Sequence, residues 1–258
     1  EKADPHDLMK IFRPLELATI ISSYIIGRKL KKRCDKKEWA TISKRVAAHT
    51  EIGAFIGKYI DPIGPGVGML AGAFRNLAWP AFAIDNLEEF QKYRRNLVTA
   101  KLLFNGKAET ARWHCTCVDT GAAYLQKFGF GLSLSNGFLH GLQDRSSELE
   151  SDIAELDKAF YYAGMWLESM ATEAKAPQQV ADAAYKPNDE GLEELKSLAE
   201  LINKDGSEFD WMSKGEDDIS PKETPELFDK GRPYYGDIEL PRHLKEQLEA
   251  HGQEQDEA

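Results

Sequence analysis

The chain has 258 residues, 33 Lys+Arg against 43 Asp+Glu, a formal net charge of −10 and 42% hydrophobic residues. That is enough to bury a sizeable core in one large domain, or a domain plus a tail, and too apolar for wholesale disorder. Three cysteines (Cys34, Cys115, Cys117) are too few for a disulfide framework, no apolar run reaches the roughly 18 residues of a membrane span, and the acidic balance disfavours nucleic acid. A secreted mini-protein, a membrane protein and a basic nucleic-acid binder are thereby excluded, and a reducing, cytoplasmic setting is expected. Glu1 is not a methionine, so something is expected to have been removed upstream.

Charge divides the chain. Residues 1–60 carry 13 Lys/Arg and 7 Asp/Glu, whereas residues 201–258 carry 7 and 16. The pattern predicts a compact body followed by an acidic appendage. The expected organisation is a helical lead-in over 1–35, a helical domain over 36–185 and an acidic, Pro-containing extension over 186–258. The lead-in ends in a run of seven basic residues in ten: Arg28, Lys29, Lys31, Lys32, Arg33, Lys36 and Lys37. Such a run is a solvated helix end, a surface for phosphates or for an acidic partner, or a dock for the chain's own acidic tail.

The body reads as helix after helix. Apolar residues recur in steps of three and four over residues 39–60 (Trp39, Ile42, Val46, Ile52, Ile56, Ile60), 87–104, 110–128 and 149–170. Strand-type alternation is nearly absent, no fixed-period repeat is visible, and breaks fall at residues 61–66 and 129–131. The fold class is therefore all-α.

Few segments suggest chemistry. Gly64, Gly66 and Gly68 lack the Gly-Lys-Ser/Thr ending of a phosphate-binding loop and read as a tight inter-helix turn that brings the next helix close. His114, Cys115 and Cys117 lie within four residues, but on a helix they point apart, and no second pair completes four ligands. Small cysteines beside a helix crossing account for them. His49 lies on the polar side of its helix with Glu51 close by. No Ser/His/Asp order and no close carboxylate pair stands out, so no catalytic residue, metal or cofactor is assigned.

The order of motifs resembles the HDOD domain, an HD-related output domain of bacterial signalling proteins. The resemblance rests on Trp39, Ser43 and Val46-Ala47, then residues 68–78 (Gly-Met-Leu-Ala-Gly-Ala-Phe-Arg-Asn-Leu-Ala). It continues through Glu109, Trp113, Cys117, Gly121 and Phe128 at the family's spacing, and through residues 159–171 as the closing helix. It covers roughly residues 36–175 and implies an HD-like helical bundle. Catalytic HD phosphohydrolases bind metals through His and Asp; here that position is Arg75-Asn76, the later histidine is Cys117, and a histidine pair is reduced to His140 beside Gly141. A guanidinium cannot become a ligand and sets a fixed positive charge where a cation would sit. The resemblance thus implies a metal-free remnant pocket lined by Arg75, Asn76, Glu109, Cys117 and His140. In it, Arg75 either pairs with Glu109 or Asp119 or binds an anion. The family also carries a further helical half before this part, and only roughly 35 residues precede Trp39. That half is either shortened into residues 7–32 or outside this sequence; the first case leaves an apolar face for a partner.

Two function classes follow. One is a non-catalytic signalling or regulatory protein working through protein contacts. The other is a metal-dependent phosphohydrolase with relocated ligands (His49, His114, Asp119, His140), or a sensor in which Arg75 and the basic run hold a nucleotide.

Overall fold

In the computed structural model, which describes residues 12–143 and 153–207, all regular structure is helical; no strand occurs among the described residues. The chain is all-α. Helices α1 (Pro14–Lys31), α2 (Lys36–Tyr59), α3 (Gly64–Asn76), α4 (Trp79–Asp85) and α5 (Leu87–Ala100) are followed by α6 (Gly106–Trp113), α7 (Cys117–Lys127), α8 (Leu132–Leu142), α9 (Glu155–Glu173) and α10 (Asp189–Asp205).

Helix ends follow local chemistry. Pro14 opens α1, where its missing N–H costs nothing, and the Glu16 carboxylate accepts from the Arg13 N–H at 3.1 Å. Asp35 caps α2 by accepting from the N–H groups of Lys37 and Glu38 at 2.9 and 3.1 Å. Asn86, Asn105 and Asn188 cap α5, α6 and α10 in the same way.

The centre of the fold is the antiparallel pair α2–α3, whose backbones touch. A Cβ on Gly53 would lie 2.1 Å from the Gly68 carbonyl oxygen, one on Gly57 2.1 Å from that of Gly64, and one on Gly72 2.0 Å from that of His49. Glycines four residues apart on both helices thus form one seam that any side chain would wedge open. The glycine stretch expected to be a turn is therefore mostly helix: the turn is Ile60–Ile63, and residues 64–68 are the first turns of α3. The expected close helix packing is achieved by the helix itself. Around this pair, α1, α7 and α9 pack on α3, while α9 and α10 pack on α2. Trp79, Trp166, Phe74, Phe90, Phe138 and Phe160 fill the core, with Trp79 edge-on to Phe90 at 5.4 Å between centroids.

Three expectations are corrected. The helix expected over 110–128 is two helices, because His114 takes a left-handed conformation (φ 56°) and Thr116 starts a new cap by accepting from the Asp119 N–H at 3.1 Å. The stripe over 87–104 ends as helix at Ala100, where Lys101 is left-handed; Leu103 and Phe104 are buried from the segment that follows. Residues 189–205, expected in the extension, form α10 on the body, burying Leu195, Ala199 and Ile202. Tyr59 donates to Glu194, Asn203 Nδ2 donates to the Met170 carbonyl at 3.1 Å, and Trp166 Nε1 donates to the Tyr185 carbonyl at 2.9 Å. Residues 208–258, which hold most of the acidic extension, lie outside the described residues, as do 144–152 and the beginning of the stripe over 149–170.

Helix α1 has an unusual orientation. It turns Thr19, Ser22, Ser23 and Gly27 inward and leaves Ile21, Tyr24 and Ile25 exposed, Ile21 at 51%. Small inward residues let it lie close on α3, where Gly66 meets Leu15. The basic run continues this outer face into the α1–α2 turn, with all seven residues exposed or half-buried.

Candidate functional site

The last turn of α3 delivers Arg75 and Asn76 into the core beside α2. Asn76 is fully buried and its amide is fixed by three partners. Its Oδ1 accepts from Arg45 Nε at 2.7 Å, so its Nδ2 is the donor to the Gly72 carbonyl at 2.6 Å and to His49 Nδ1 at 2.9 Å. His49 Nδ1 is then an acceptor, and the ring is the neutral Nε2–H form. Burial, with the cations of Arg45 and Arg75 close by, holds the His49 imidazole well below its usual range.

Arg45 also donates through Nη2 to the Leu103 carbonyl at 2.8 Å, and its guanidinium lies 4.0 Å from the Trp79 ring centroid. Desolvation lowers it to about 10, far enough above neutrality for the charge to persist. Arg75 lies 3.9 Å from the Phe104 centroid and pairs through Nη1 with Glu168 Oε1 of α9 at 2.9 Å. Its partner is therefore neither Glu109 nor Asp119. Glu109 accepts from the Cys117 N–H at 2.7 Å and from the Tyr93 hydroxyl, so it closes the N-terminus of α7 from inside the core. Asp119 bonds Thr116 in that helix's capping box. Burial and the Glu109 carboxylate push the Cys117 thiol up and keep it protonated.

Arg75, Asn76, Glu109 and Cys117 thus belong to one buried polar cluster with Arg45, His49 and Tyr93. His140 does not join it: its side chain is 50% exposed and meets Asp157 of α9 at 3.3 Å. His114 ends α6 at the left-handed position. Among the described residues no three His, Cys, Asp or Glu side chains are grouped as ligands for a metal, which separates His49, His114, Asp119 and His140. The position that the resemblance would assign to a metal does not suit one. Two guanidiniums approach it, and both the Asn76 oxygen and His49 Nδ1 are already engaged.

Sequence reading passed over Arg45 and Tyr93. Both leave a trace: Arg45 lies three residues after Ile42 of the apolar stripe and one turn before His49, and Tyr93 falls within the apolar stripe of α5. His49 itself, expected on the polar side of its helix, is buried, because Asn76 of α3 meets it inside the core. Glu168 leaves none, because an acidic residue on a half-exposed helix face is ordinary.

Two clefts open beside Arg75, of about 490 and 680 Å³, both walled by Arg75, Leu142 and Gln143. No helix among the described residues is long and apolar enough to cross a membrane. No protein-family model, curated protein or solved structure matches the chain.

Proposed function

We propose that this protein is a non-catalytic, HDOD-like regulatory protein of the cytosol that acts by binding a protein partner. The observation that carries this reading is the cluster of Arg45, His49, Arg75 and Asn76. Where the resembled enzymes hold an activating metal, this chain holds two cations and a fully bonded amide, which supply neither ligands nor an activated water. The outer face of α1 supports the contact part: exposed Ile21 and Ile25 run into a cationic end, matching a partner that is apolar at its centre and acidic at its rim. Three unbridged thiols fit a reducing compartment.

Metal analysis of the protein purified without added ions, with phosphomonoesterase and phosphodiesterase assays on the same sample, tests the first part. Stoichiometric iron, manganese or zinc with turnover overturns the reading. Capture of partners by the wild type and by a Ile21→Ser/Ile25→Ser variant tests the second; unchanged capture by the variant removes α1 as the contact face.

A further inference from the structure

Independently of partner binding by α1, we propose that Arg75 is the floor of a binding site for a small organic acid with one charged head, a carboxylate or phosphate, on an apolar body. Arg75 is 6% exposed, and of the five donors on a guanidinium it uses one, Nη1 to Glu168. Its Nε is enclosed without a partner. The enclosed Nε makes Arg75 an exception among buried polar groups, and Nη2, which is unbonded and not among the enclosed atoms, is the nitrogen that an oxyanion in the cleft would meet first. The guanidinium carbon lies 3.9 Å from the Phe104 ring centroid, a contact that restrains the fork and lowers the ordering cost of binding an anion.

The cleft decides the rest of the ligand. Its volume of about 490 Å³ is in the size range of small-molecule sites, and it opens widely to solvent. Leu102, Leu142, Tyr161 and Met165 offer contact to an aryl or short alkyl body, among polar groups (Lys101, Gln143, Ser169, Thr172) that make up the larger part of the lining. The second cleft, which shares Arg75 with the first, is lined by Glu109 and Asp119. Lys101, the other cation lining the first cleft, pairs with Glu173 at 3.8 Å, and with Glu168 these carboxylates repel a polyphosphate, so a head of low charge is selected. Glu168 itself has a side chain 47% exposed, and it stands where one ligand oxygen would go. It acts as a resident counter-ion that an incoming acid displaces or shares.

Calorimetry on the full chain with phenyl phosphate, benzoate and inorganic phosphate tests this. The expected result is binding of both aryl acids, tighter than inorganic phosphate and weaker at higher salt. The stronger of the two aryl acids identifies the head group. Glu168→Gln removes the competing carboxylate and is expected to tighten binding several-fold, whereas Arg75→Lys, which keeps charge but loses the fork, is expected to weaken it roughly tenfold. If Arg75→Lys does not fold, the Glu168→Gln arm decides alone. No heat from either aryl acid at millimolar concentration, equal binding by Arg75→Lys, or weaker binding by Glu168→Gln overturns the proposal. Partner capture by α1 is read separately, so the two proposals fail separately.

Discussion

Replacing Gly53 with alanine tests the seam on which the whole arrangement rests. On helix propensity alone the change is favourable by about 1 kcal/mol, because glycine is a poor residue in a helix interior. The structure predicts the opposite sign. The new Cβ would stand 2.1 Å from the Gly68 carbonyl oxygen, a backbone atom that cannot swing aside, so α2 and α3 must part by more than an ångström. A gap of even about 0.5–1 Å forfeits roughly a quarter to a half of the dispersion energy along the contact, and with a backbone atom in the way the overpacking cost exceeds the usual range of about 1–3 kcal/mol, at roughly 3–4 kcal/mol. After the propensity gain, about 2–3 kcal/mol of destabilisation is expected, roughly 4–12 °C in Tm for a chain of this size. Gly164→Ala is the control. Its Cβ meets only the tip of the Leu142 side chain at 2.7 Å, which can move, so its Tm is expected to stay within a few degrees of wild type. Thermal unfolding by circular dichroism reads both. A Gly53→Ala protein as stable as wild type, or more so, refutes the seam.

His49 is held neutral in the fold, so the unfolded chain binds one more proton below its ordinary pKa of about 6.5. Its contribution is complete above that pH and falls by up to about 1.4 kcal/mol per pH unit below it; denaturant titrations at pH 7.5 and 5.5 should show this loss reduced in His49→Gln. Glu109→Ala strands the Cys117 N–H and the Tyr93 hydroxyl and should cost about 2–4 kcal/mol, part of which Tyr93→Phe restores in the same background. Cys34 and Cys117 are buried and Cys115 is partly exposed, so a thiol reagent should titrate one group promptly in the native protein and three after denaturation. Prompt reaction of Cys117 would contradict its place in the core.

Much of the fold was legible in the sequence because burial imposes a period. The stripe over residues 39–60 marks α2 to within a few residues, and the breaks near residues 61–66 and 129–131 fall at helix junctions. What periodicity cannot show is a local override. Residues 110–128 keep their apolar spacing through the break at His114, since a left-handed residue and a Thr cap rotate the chain without changing which residues are buried. The glycines of α3 read as a turn because the composition of a loop and that of a helix–helix seam are the same; only the matching glycines at 53 and 57, four apart, distinguish them. In the site, Arg75, Asn76, Glu109 and Cys117 were grouped only by the family resemblance, since nothing in the spacing of the residues themselves brings them together. The partners of Arg75 and Asn76 depend on which helices face each other, which is why Glu168 displaced the expected Glu109 and Asp119, and why His140 lies apart.

The seam also sets where the chain tolerates changes in length. Its contacts join residues 49 and 72, 53 and 68, and 57 and 64, so each step away from the connecting turn adds four residues on both helices. Extra residues at the exposed pair Asp61 and Pro62 leave that pairing intact, because the turn only joins ends that already touch. One residue removed between Gly53 and Gly57, however, rotates everything before it by about 100°. Gly53 would then leave Gly68, and Arg45 and His49 would swing away from Asn76 in the same step. Packing and polar cluster share one register, and the turn is the place to insert a tag or label without disturbing either.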